Sequence, residues 1–391
     1  MKTPFASACG GLLIVALAAG CGTVQEPSVA RSGAASPSVS QPAPASPPVT
    51  VPVGIMRPPG GPVPAGFKAA SVTFVSTREA FALGTAPCKH APCTSIVRTR
   101  DRGVSWRGLP APAVPLGEPR VTGPAVWGIR FATPEHGFVF GTGLWVTTDG
   151  GEHWSAAGYP GGSIMSLEIT NRQVLAVTMR KAPAGDARWA LLRRPLAGGA
   201  WTALVTQGTA IGSIATQARV AAILDGSSVL VTGNADLTIT RHPLPCTTSA
   251  LPVPTSVAVE APAGLALLCT GQGYTGHTDK TVYVSSDLGA SWKLAGHPAS
   301  AGDGGAIAAS APGHLTIATT SAASWLYYSA DNGKTWRSTV TYPDGGQGWN
   351  DLGFTTTHDG VVIHGHPYYG DMVGQLLLTG NGGLTWHAVT F

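Results

Sequence analysis

One short pattern recurs through the chain and constrains its fold more than any other feature. Residues 147–154 read TTDGGEHW, and the same form, Ser/Thr-x-Asp-x-Gly-x-x-Trp, returns at residues 99–106, 285–292 and 329–336. A fifth copy at 379–386 has Asn in place of the Asp. Repetition of a motif at a fixed period indicates a fold built from repeated structural units, each of which buries its apolar face against the next.

The spacing of the pattern predicts the number of units. Its tryptophans lie 44 to 50 residues apart, if Trp201 with Gly198 is counted as a partial copy, except for a gap of 91 residues between Trp201 and Trp292. A period of this length is typical of the four-stranded blades of a β-propeller. Six visible copies and one missing copy predict seven blades, with six blades as the alternative. The missing copy is expected near Cys246, halfway through the long gap.

The segments between the copies alternate apolar and polar residues in short runs bounded by Gly, Pro and Asp, as β-strands do. In the first unit the predicted strands are 71–76, 81–84, 95–99 and 106–109. In the second unit they are 126–132, 137–141, 144–148 and 154–157. No amphipathic helix of any length is visible. The predicted fold class is therefore all-β, a seven-bladed β-propeller of four-stranded antiparallel blades, with the pattern in the turn between the third and fourth strands.

Each residue type in the pattern has a physical reason to be there. The Asp side chain accepts hydrogen bonds from backbone amides of the turn, the Ser or Thr hydroxyl adds a second local bond, and the Gly supplies a positive φ. The Trp packs on the neighbouring unit and buries about 150–250 Å², so it should stabilise the fold by more than the ~1 kcal/mol expected for the Asp. The residues given this structural role are Asp101, Gly103, Trp106, Asp149, Gly151, Trp154, Asp287, Gly289, Trp292, Asp331, Gly333, Trp336, Asn381, Gly383 and Trp386.

The copies resemble the Asp-box, or BNR, repeat of sialidase-like β-propellers, and also the repeats of propellers similar to photosystem II assembly factors. The resemblance covers residues 67–391 and implies the propeller fold. It implies no single activity, because sialidases, xyloglucanases, sorting receptors and assembly factors all carry such repeats. In sialidases three arginines grip the substrate carboxylate. That set is not recognisable here, since neither Arg57 nor Arg78, which precede the first copy, has the expected sequence context.

The N-terminus predicts export. Lys2 precedes an apolar stretch at 11–19, as in a secretory signal. Residues 17–21, LAAGC, resemble a bacterial lipobox with Ala18 where Leu is commonest. The resemblance implies a signal peptide at 1–20, cleavage before Cys21 and a lipid on its thiol, whereas the alternative is an ordinary cleaved signal. Two or more acyl chains anchor a protein stably, so we expect attachment to the outer face of the cytoplasmic membrane.

Composition separates a tether from the folded domain. Residues 21–65 are rich in Pro, Ser, Ala and Val and predict an extended, disordered tether ahead of a propeller at 66–391. Charged residues make up 11% of the chain and the net charge is +4, with no run of Lys and Arg among aromatic residues, which argues against nucleic acid as a partner. We expect a monomer that needs no cofactor or metal.

The cysteines agree with an exported protein. Removal of Cys9 with the signal and assignment of Cys21 to lipid leaves an even number, which favours two disulfides. Of the three possible pairings we favour the nearest neighbours in sequence, Cys88 with Cys93 and a Cys246–Cys269 bridge that replaces the missing Trp in the fourth blade. A four-cysteine metal site is the alternative, but the spacing is not that of paired metal ligands.

A ligand is expected on the face opposite the repeated turns, where the loops between second and third strands and the links between blades lie. The candidate residues of this face are Arg120, Tyr274, His277, Asp279, Trp349, Asp351, His364, His366, Tyr368, Tyr369 and Asp371. The stretch 364–371, HGHPYYGD, is the densest polar and aromatic cluster in the chain. His364 and His366 would share one face of a strand, where they could bind a ligand or, with Asp371, a metal. The alternative is a surface loop that packs on its own blade.

Two function classes remain open. A binding or scaffold module for a protein partner or a cell-surface glycan is the preferred hypothesis, and a glycoside hydrolase of the sialidase or xyloglucanase type is the alternative. A glycosidase needs two carboxylates about 5–10 Å apart, and pairs such as Asp351 with Asp371 could supply them. Three convergent arginines or such a carboxylate pair would favour the enzyme. A redox or metal-centred propeller would need His277 or Asp371 to converge with the two histidines.

Overall fold

A computed structural model gives the protein's structure for residues 60–89, 93–118, 123–159, 161–181, 187–233, 238–246, 253–260, 262–367 and 373–391. The signal peptide, Cys21, most of the tether, Arg120, Tyr368, Tyr369 and Asp371 lie outside these residues. Every regular element in the described residues is a β-strand. None of them belongs to a helix with the length and apolar character needed to cross a membrane.

The strands form seven four-stranded antiparallel sheets, each from one continuous stretch of chain. Blade 1 contains β1 (Lys68–Phe74), β2 (Ala80–Ala86), β3 (Cys93–Thr99) and β4 (Arg107–Leu109). Blade 2 contains β5 (Val126–Phe131), β6 (Gly137–Gly141), β7 (Leu144–Thr147) and β8 (Ser155–Ala156). Blade 3 contains β9 (Ser163–Thr170), β10 (Gln173–Lys181), β11 (Ala187–Pro195) and β12 (Thr202–Gln207).

The remaining four blades repeat this order. Blade 4 contains β13 (Ile211–Gln217), β14 (Val220–Asp225), β15 (Ser228–Thr232) and β16 (Thr240–Pro243). Blade 5 contains β17 (Val253–Glu260), β18 (Gly264–Tyr274), β19 (His277–Ser285) and β20 (Lys293–Gly296). Blade 6 contains β21 (Asp303–Ala311), β22 (His314–Thr320), β23 (Ser324–Ser329) and β24 (Arg337–Tyr342). Blade 7 contains β25 (Trp349–Phe354), β26 (Gly360–His364), β27 (Gln375–Thr379) and β28 (His387–Ala388).

The first strands of successive blades contact one another around the ring, and β1 contacts β25 to close it. Among the described strands, each blade is formed by four that follow one another in the chain, so closure depends on contacts between blades 7 and 1. The Ala69 amide donates to the Gly374 carbonyl at 2.8 Å. The ring of Phe391 lies 4.8 Å from Phe67 and 5.2 Å from Trp106, and these side chains pack in the apolar core between the two blades.

The prediction of seven four-stranded antiparallel blades is confirmed. The position predicted for the missing copy is wrong. In blade 4 the turn between the third and fourth strands runs from the end of β15 at Thr232 to the start of β16 at Thr240, and Cys246 follows β16. Ile239 stands directly before the fourth strand, where the other blades have Trp, and packs on the core between blades 3 and 4. The midpoint failed because blade 4 and blade 5 differ in length: the link after β16 is longer than the link before β13, and β18 and β19 are longer than β14 and β15.

Both predicted disulfides form. Cys88 bonds Cys93 and closes the hairpin of β2 and β3. Cys246 bonds Cys269 on β18, and both sulfur-bearing residues are buried in the apolar core between blades 4 and 5. The second bridge therefore attaches the link after blade 4 to the next blade. It does not stand in for the tryptophan, because Ile239 has that position.

The repeated turns share one hydrogen-bonding scheme, which Asp331 illustrates. Its Oδ1 accepts the Thr335 amide at 2.9 Å, and the Ser329 hydroxyl accepts the Gly333 amide at 2.8 Å. Gly333 has φ +81°, and Asn332 before it is also left-handed at +61°. Trp336 packs on the core between blades 5 and 6, so the turn joins its blade to the preceding one.

Candidate functional site

The antiparallel sheets place the repeated turns at one end of the ring, which we call the box face. The loops between second and third strands and the links between blades lie at the opposite end, which we call the link face. Of the candidate ligand residues in the described part of the chain, the structure brings Trp349, His364 and His366 together in blade 7. Tyr274, His277 and Asp279 belong to the β18–β19 hairpin of blade 5, and Asp351 points into the channel instead.

The blade 7 cluster is built around the imidazole of His364. Its Nε2 is hydrogen-bonded to the carboxylate of Asp344, and its ring stacks on Tyr342 at 4.4 Å between centroids, with Trp349 at 5.0 Å. Burial opposes ionisation of Asp344, but hydrogen bonds from His364 and from the Gly346 amide outweigh it and hold the pKa of Asp344 below its usual value. His364 is itself buried, so the cluster fixes the loop after β24 on blade 7.

His366 lies beyond the strand that ends at His364, so the prediction that the two histidines share one face of a strand is wrong. β26 ends at His364, and Gly365 has φ +91°, which breaks the strand alternation. His366 Nδ1 lies 2.7 Å from Asn350 Nδ2. Burial lowers the pKa of His366, while the charge of Glu118 opposes that shift. Within the described residues, no three His, Cys, Asp or Glu side chains converge as metal ligands.

A serine also contacts the cluster, but the order of contacts is not that of a catalytic triad. Ser324 hydrogen-bonds the carboxylate of Asp344, and its hydroxyl accepts the Gly348 amide at 3.1 Å. In a serine hydrolase the histidine lies between the serine and the carboxylate, so that it can remove the serine proton. Here the carboxylate lies between Ser324 and His364. This arrangement orients loops and does not activate a nucleophile.

The central channel forms a cavity of about 610 Å³ lined by the first strands of all seven blades. Arg130 on β5 crosses one side of it. Its Nε donates to Glu168 Oε1 at 2.6 Å, and its Nη2 donates to Asp351 Oδ1 at 3.0 Å. The three side chains are each about one-fifth exposed, at 19% for Arg130, 20% for Glu168 and 19% for Asp351. We call these three residues the channel triad.

Asp351 links the triad to blade 1. Its Oδ2 accepts the Ser71 hydroxyl at 2.6 Å and the Val72 amide at 2.8 Å. Its backbone has φ +48°, a left-handed conformation that costs energy for a residue with a side chain. The register between β25 and β26 is irregular between Asn350 and Gly353, so the strand bulges at Asp351. The contacts of its carboxylate therefore hold the residue in a strained position across the ring.

The electrostatics of the triad follow from its burial. Burial opposes the charge of Arg130, but the carboxylates of Asp351 and Glu168 outweigh it and raise the pKa of Arg130 above its usual value. Burial also raises the pKa of Glu168, against the attraction of Arg130 and a hydrogen bond from Thr216 on β13. The network thus runs from blade 7 through blades 1, 2 and 3 to blade 4, with both carboxylates bound to one guanidinium.

Sequence reasoning missed Arg130 and Glu168. The signal that could have found them is a charged residue inside the first strand of a blade, in the stretches VWGIRF and SIMSLEIT. First strands line the channel, so a charge there must face it or a partner. Asp351 was identified, but as a loop residue of the link face rather than as a member of β25.

The BNR/Asp-box repeat family matches residues 327–338, which include the whole of the sixth-blade copy. The chain is a seven-bladed β-propeller with Asp-box turns. Among curated proteins, no sequence matches it. The structure of YCF48 with a bound D1 peptide is similar to this propeller, with a TM-score of 0.54, 17% identity, and coverage of 82% of this chain and 95% of that one.

Two further structures resemble the propeller. YCF48 from Cyanidioschyzon merolae has a TM-score of 0.54 and 17% identity, covering 82% of this chain and 97% of that one. An ancestral GH74 enzyme has a TM-score of 0.48 and 12% identity, covering 83% of this chain but 44% of that one. At these identities the likeness to YCF48 concerns the fold alone.

Proposed function

We propose that the propeller binds a protein partner outside the cytoplasmic membrane, to which a lipid on Cys21 anchors it. The observation that carries this proposal is the channel triad. Both carboxylates that face the channel there, Glu168 and Asp351, are bound to the same guanidinium. A glycosidase needs one carboxylic acid to protonate the leaving group and a second carboxylate free to act as nucleophile or base. Carboxylates neutralised by Arg130 serve that chemistry poorly.

Support for a protein partner comes from the fold. One similar propeller, YCF48, is known with a bound D1 peptide, and 82% of this chain is covered by that likeness. The link face here offers hairpin tips and links of unequal length, which suit recognition of an extended polypeptide. The blade 7 cluster would contribute an ordered part of that face, because His364 holds the loop after β24 in one position.

A glycoside hydrolase is the second candidate, and one observation favours it. Burial raises the pKa of Glu168, and a carboxylic acid with a raised pKa is what a glycosidase uses as its general acid. Asp351 lies on the other side of the same arginine. If Arg130 moved on substrate binding, the two carboxylates would become the acid and base of the reaction.

The two candidates can be separated with the purified full-length protein in detergent. We expect binding to members of an array of extended peptides, no retention on a glycan array, and no release of chromophore from a panel of chromogenic glycosides. Turnover of any glycoside that Glu168→Gln abolishes would overturn the binding proposal and establish the enzyme. Retention on glycans alone, without turnover, would replace the protein partner by a carbohydrate.

The anchor has its own test. Cells that express the protein and are fed labelled palmitate should incorporate label into the wild-type chain and not into Cys21→Ser. The wild type should sediment with membranes after export. Label in the Cys21→Ser variant, or a wild-type protein released without lipid, would contradict the lipoprotein assignment and favour an ordinary cleaved signal.

A further inference from the structure

The β18–β19 hairpin of blade 5 differs from the rest of the link face. β18 has 11 residues and is the longest strand in the described chain. Tyr274 and His277 pair across its two-residue turn, and the Tyr274 side chain is 63% exposed. A large aromatic ring left in solvent at a hairpin tip loses burial energy, which makes it a candidate contact for a partner. We call this hairpin, Gly264–Ser285, the blade 5 finger.

A buried ammonium group on β19 anchors the finger to the link between blades 5 and 6. Lys280 is 2% exposed, and its Nζ donates to the carbonyls of Gly302 at 2.7 Å, Ser300 at 2.9 Å and Thr278 at 3.0 Å. The carbonyls of Ala301 at 3.2 Å and Ala299 at 3.4 Å complete the cage. The link between blades 5 and 6 therefore wraps around a side chain of the finger.

Further hydrogen bonds join the tip of the finger to the same link. The Thr278 amide donates to the Ser300 carbonyl at 3.0 Å, and the Gly302 amide donates to the Gly276 carbonyl at 3.2 Å. The Thr278 hydroxyl donates to Asp303 Oδ1 at 2.8 Å. A hairpin fixed in this way binds without the entropy cost of ordering itself, which is the condition for a preformed recognition element.

The exposed charges near the tip are acidic. Asp279 and Asp303 are both exposed, and the ammonium of Lys280, which their charges attract, is itself buried among carbonyls. The sequence from residue 253 onward, which forms blades 5 to 7, has 4 Lys and Arg against 9 Asp and Glu. The stretch 66–252 has the opposite balance, with 17 against 10. The part of the chain that carries the finger is thus net acidic, which favours the approach of a positively charged ligand.

We propose that the blade 5 finger docks a basic, Lys- or Arg-rich segment of the protein partner, with Tyr274 under a cationic side chain and Asp279 and Asp303 facing the others. This inference rests on the proposed function and assigns it a place and a partner chemistry. A cation over a tyrosine ring is attracted by its face, and carboxylates beside it add Coulomb attraction that salt weakens. Tyr274 takes no part in the Lys280 cage, and Asp279 attracts the ammonium only through its charge, so both can be changed while the five carbonyl hydrogen bonds to Nζ remain.

The experiment uses two fluorescent ten-residue peptides, one alternating Lys and Gly and one alternating Glu and Gly. Fluorescence anisotropy with full-length protein at low salt should show binding of the Lys peptide and weaker or no binding of the Glu peptide. An exposed cation–π contact is worth about 0.5–1 kcal/mol, so Tyr274→Ala should weaken the Lys peptide about two- to fivefold, and Asp279→Asn by a similar factor. Addition of 0.5 M NaCl should remove most of the difference in affinity between the Lys peptide and the Glu peptide.

The matched controls lie on the box face. Val104 is 83% exposed and Glu135 is also exposed, so Val104→Ala and Glu135→Gln remove an exposed apolar group and a charge elsewhere. Both should leave the affinity for the Lys peptide unchanged, and unfolding curves should show that all four variants fold.

Equal affinity of wild type, Tyr274→Ala and Asp279→Asn for the Lys peptide would overturn the proposal. Absence of binding, or equal binding of the Lys and Glu peptides, would overturn it as well. If array peptides still bind in that case, the proposed function stands and only the finger is excluded. Glycoside turnover without peptide binding would contradict both the proposed function and the role of the finger.

Discussion

Asp331 and Asp351 lie twenty residues apart in the chain and do different work in two regions of the propeller. Asp331 sits in a turn of the box face, where its partners Ser329 and Thr335 are within four residues and carry no charge. Asp351 sits in the channel, where Ser71 is 280 residues away and Arg130 is 221 residues away. The first contact is local and repeated, whereas the second is long-range and occurs at one place in the ring.

The two kinds of contact stabilise the ring in different ways. Each box turn shapes one blade and places its tryptophan on the preceding blade, so the loss of one turn weakens one of five similar junctions. The channel triad connects blades 7, 1, 2 and 3 across the point where the two ends of the chain meet. Because each described sheet comes from one continuous stretch of chain, we infer that the triad reinforces closure of the ring.

The largest effect is expected for Arg130→Ala, which removes the long-range contacts of the channel triad. It leaves two mostly buried carboxylates without a counter-charge, and removal of one partner of a buried ion pair costs about 3–5 kcal/mol. Urea unfolding at pH 7 measures the change in free energy. Arg107→Ala is the matched control, because Arg107 is exposed on β4, and it should change stability by less than about 0.5 kcal/mol. A loss below 1 kcal/mol for Arg130→Ala would mean that the triad does not reinforce the ring.

The next effect concerns the apolar part of a box. Trp336→Ala should cost about 2 kcal/mol, below the ~3–5 kcal/mol of a fully buried aromatic residue, because Trp336 is only partly buried in the core between blades 5 and 6. The same unfolding measurement applies. A cost smaller than that of Asp331→Ala would reverse the assignment of stabilisation to Trp and of geometry to Asp.

A smaller effect is expected for the polar part of the same box. Asp331→Ala should cost about 1 kcal/mol, the scale of a lost cap. Asp331→Asn should cost only a few tenths, because blade 7 already has this substitution: Asn381 Oδ1 accepts the Thr385 amide at 2.9 Å, and its Nδ2 donates to the Thr385 hydroxyl at 2.8 Å. If the Asn variant is as unstable as the Ala variant, the charge and not the geometry of Asp331 is what the turn needs.

The last prediction concerns pH: a stabilisation by two box carboxylates that is present at neutral pH is lost in acid. Hydrogen bonds from the Thr335 amide and hydroxyl lower the pKa of Asp331 to about 2, and those from the Ser291 hydroxyl and amide do the same for Asp287. Because the unfolded value is about 3.9, this stabilisation is complete above pH 4 and is lost as the pH falls through 2. The free energy of unfolding, measured between pH 5 and pH 2, should therefore fall more steeply with acidification for wild type than for the double variant Asp287→Asn/Asp331→Asn. Equal slopes would mean that these carboxylates are not shifted in the folded protein.

The parts of the structure that could be predicted are those encoded within a few residues. The box turns use partners within four positions, and the strands follow from alternation over five to eleven residues. The predictions that failed depended on less regular features. The midpoint that placed the missing copy at Cys246 assumed blades and links of equal length. The shared face of His364 and His366 assumed a strand that continues past Gly365.

The all-β class, the seven blades, the chemistry of the turns and the two disulfides could be predicted from the amino-acid sequence, because each depends on a local pattern or on its period. How the ring closes and which charges meet in the channel became visible in the three-dimensional structure alone. Arg130, Glu168 and Asp351 come from three different blades, and nothing in their local sequence says that they meet. Their energies of interaction exist only once the ring has brought the first strands together around a buried channel, where burial makes an unpaired charge costly.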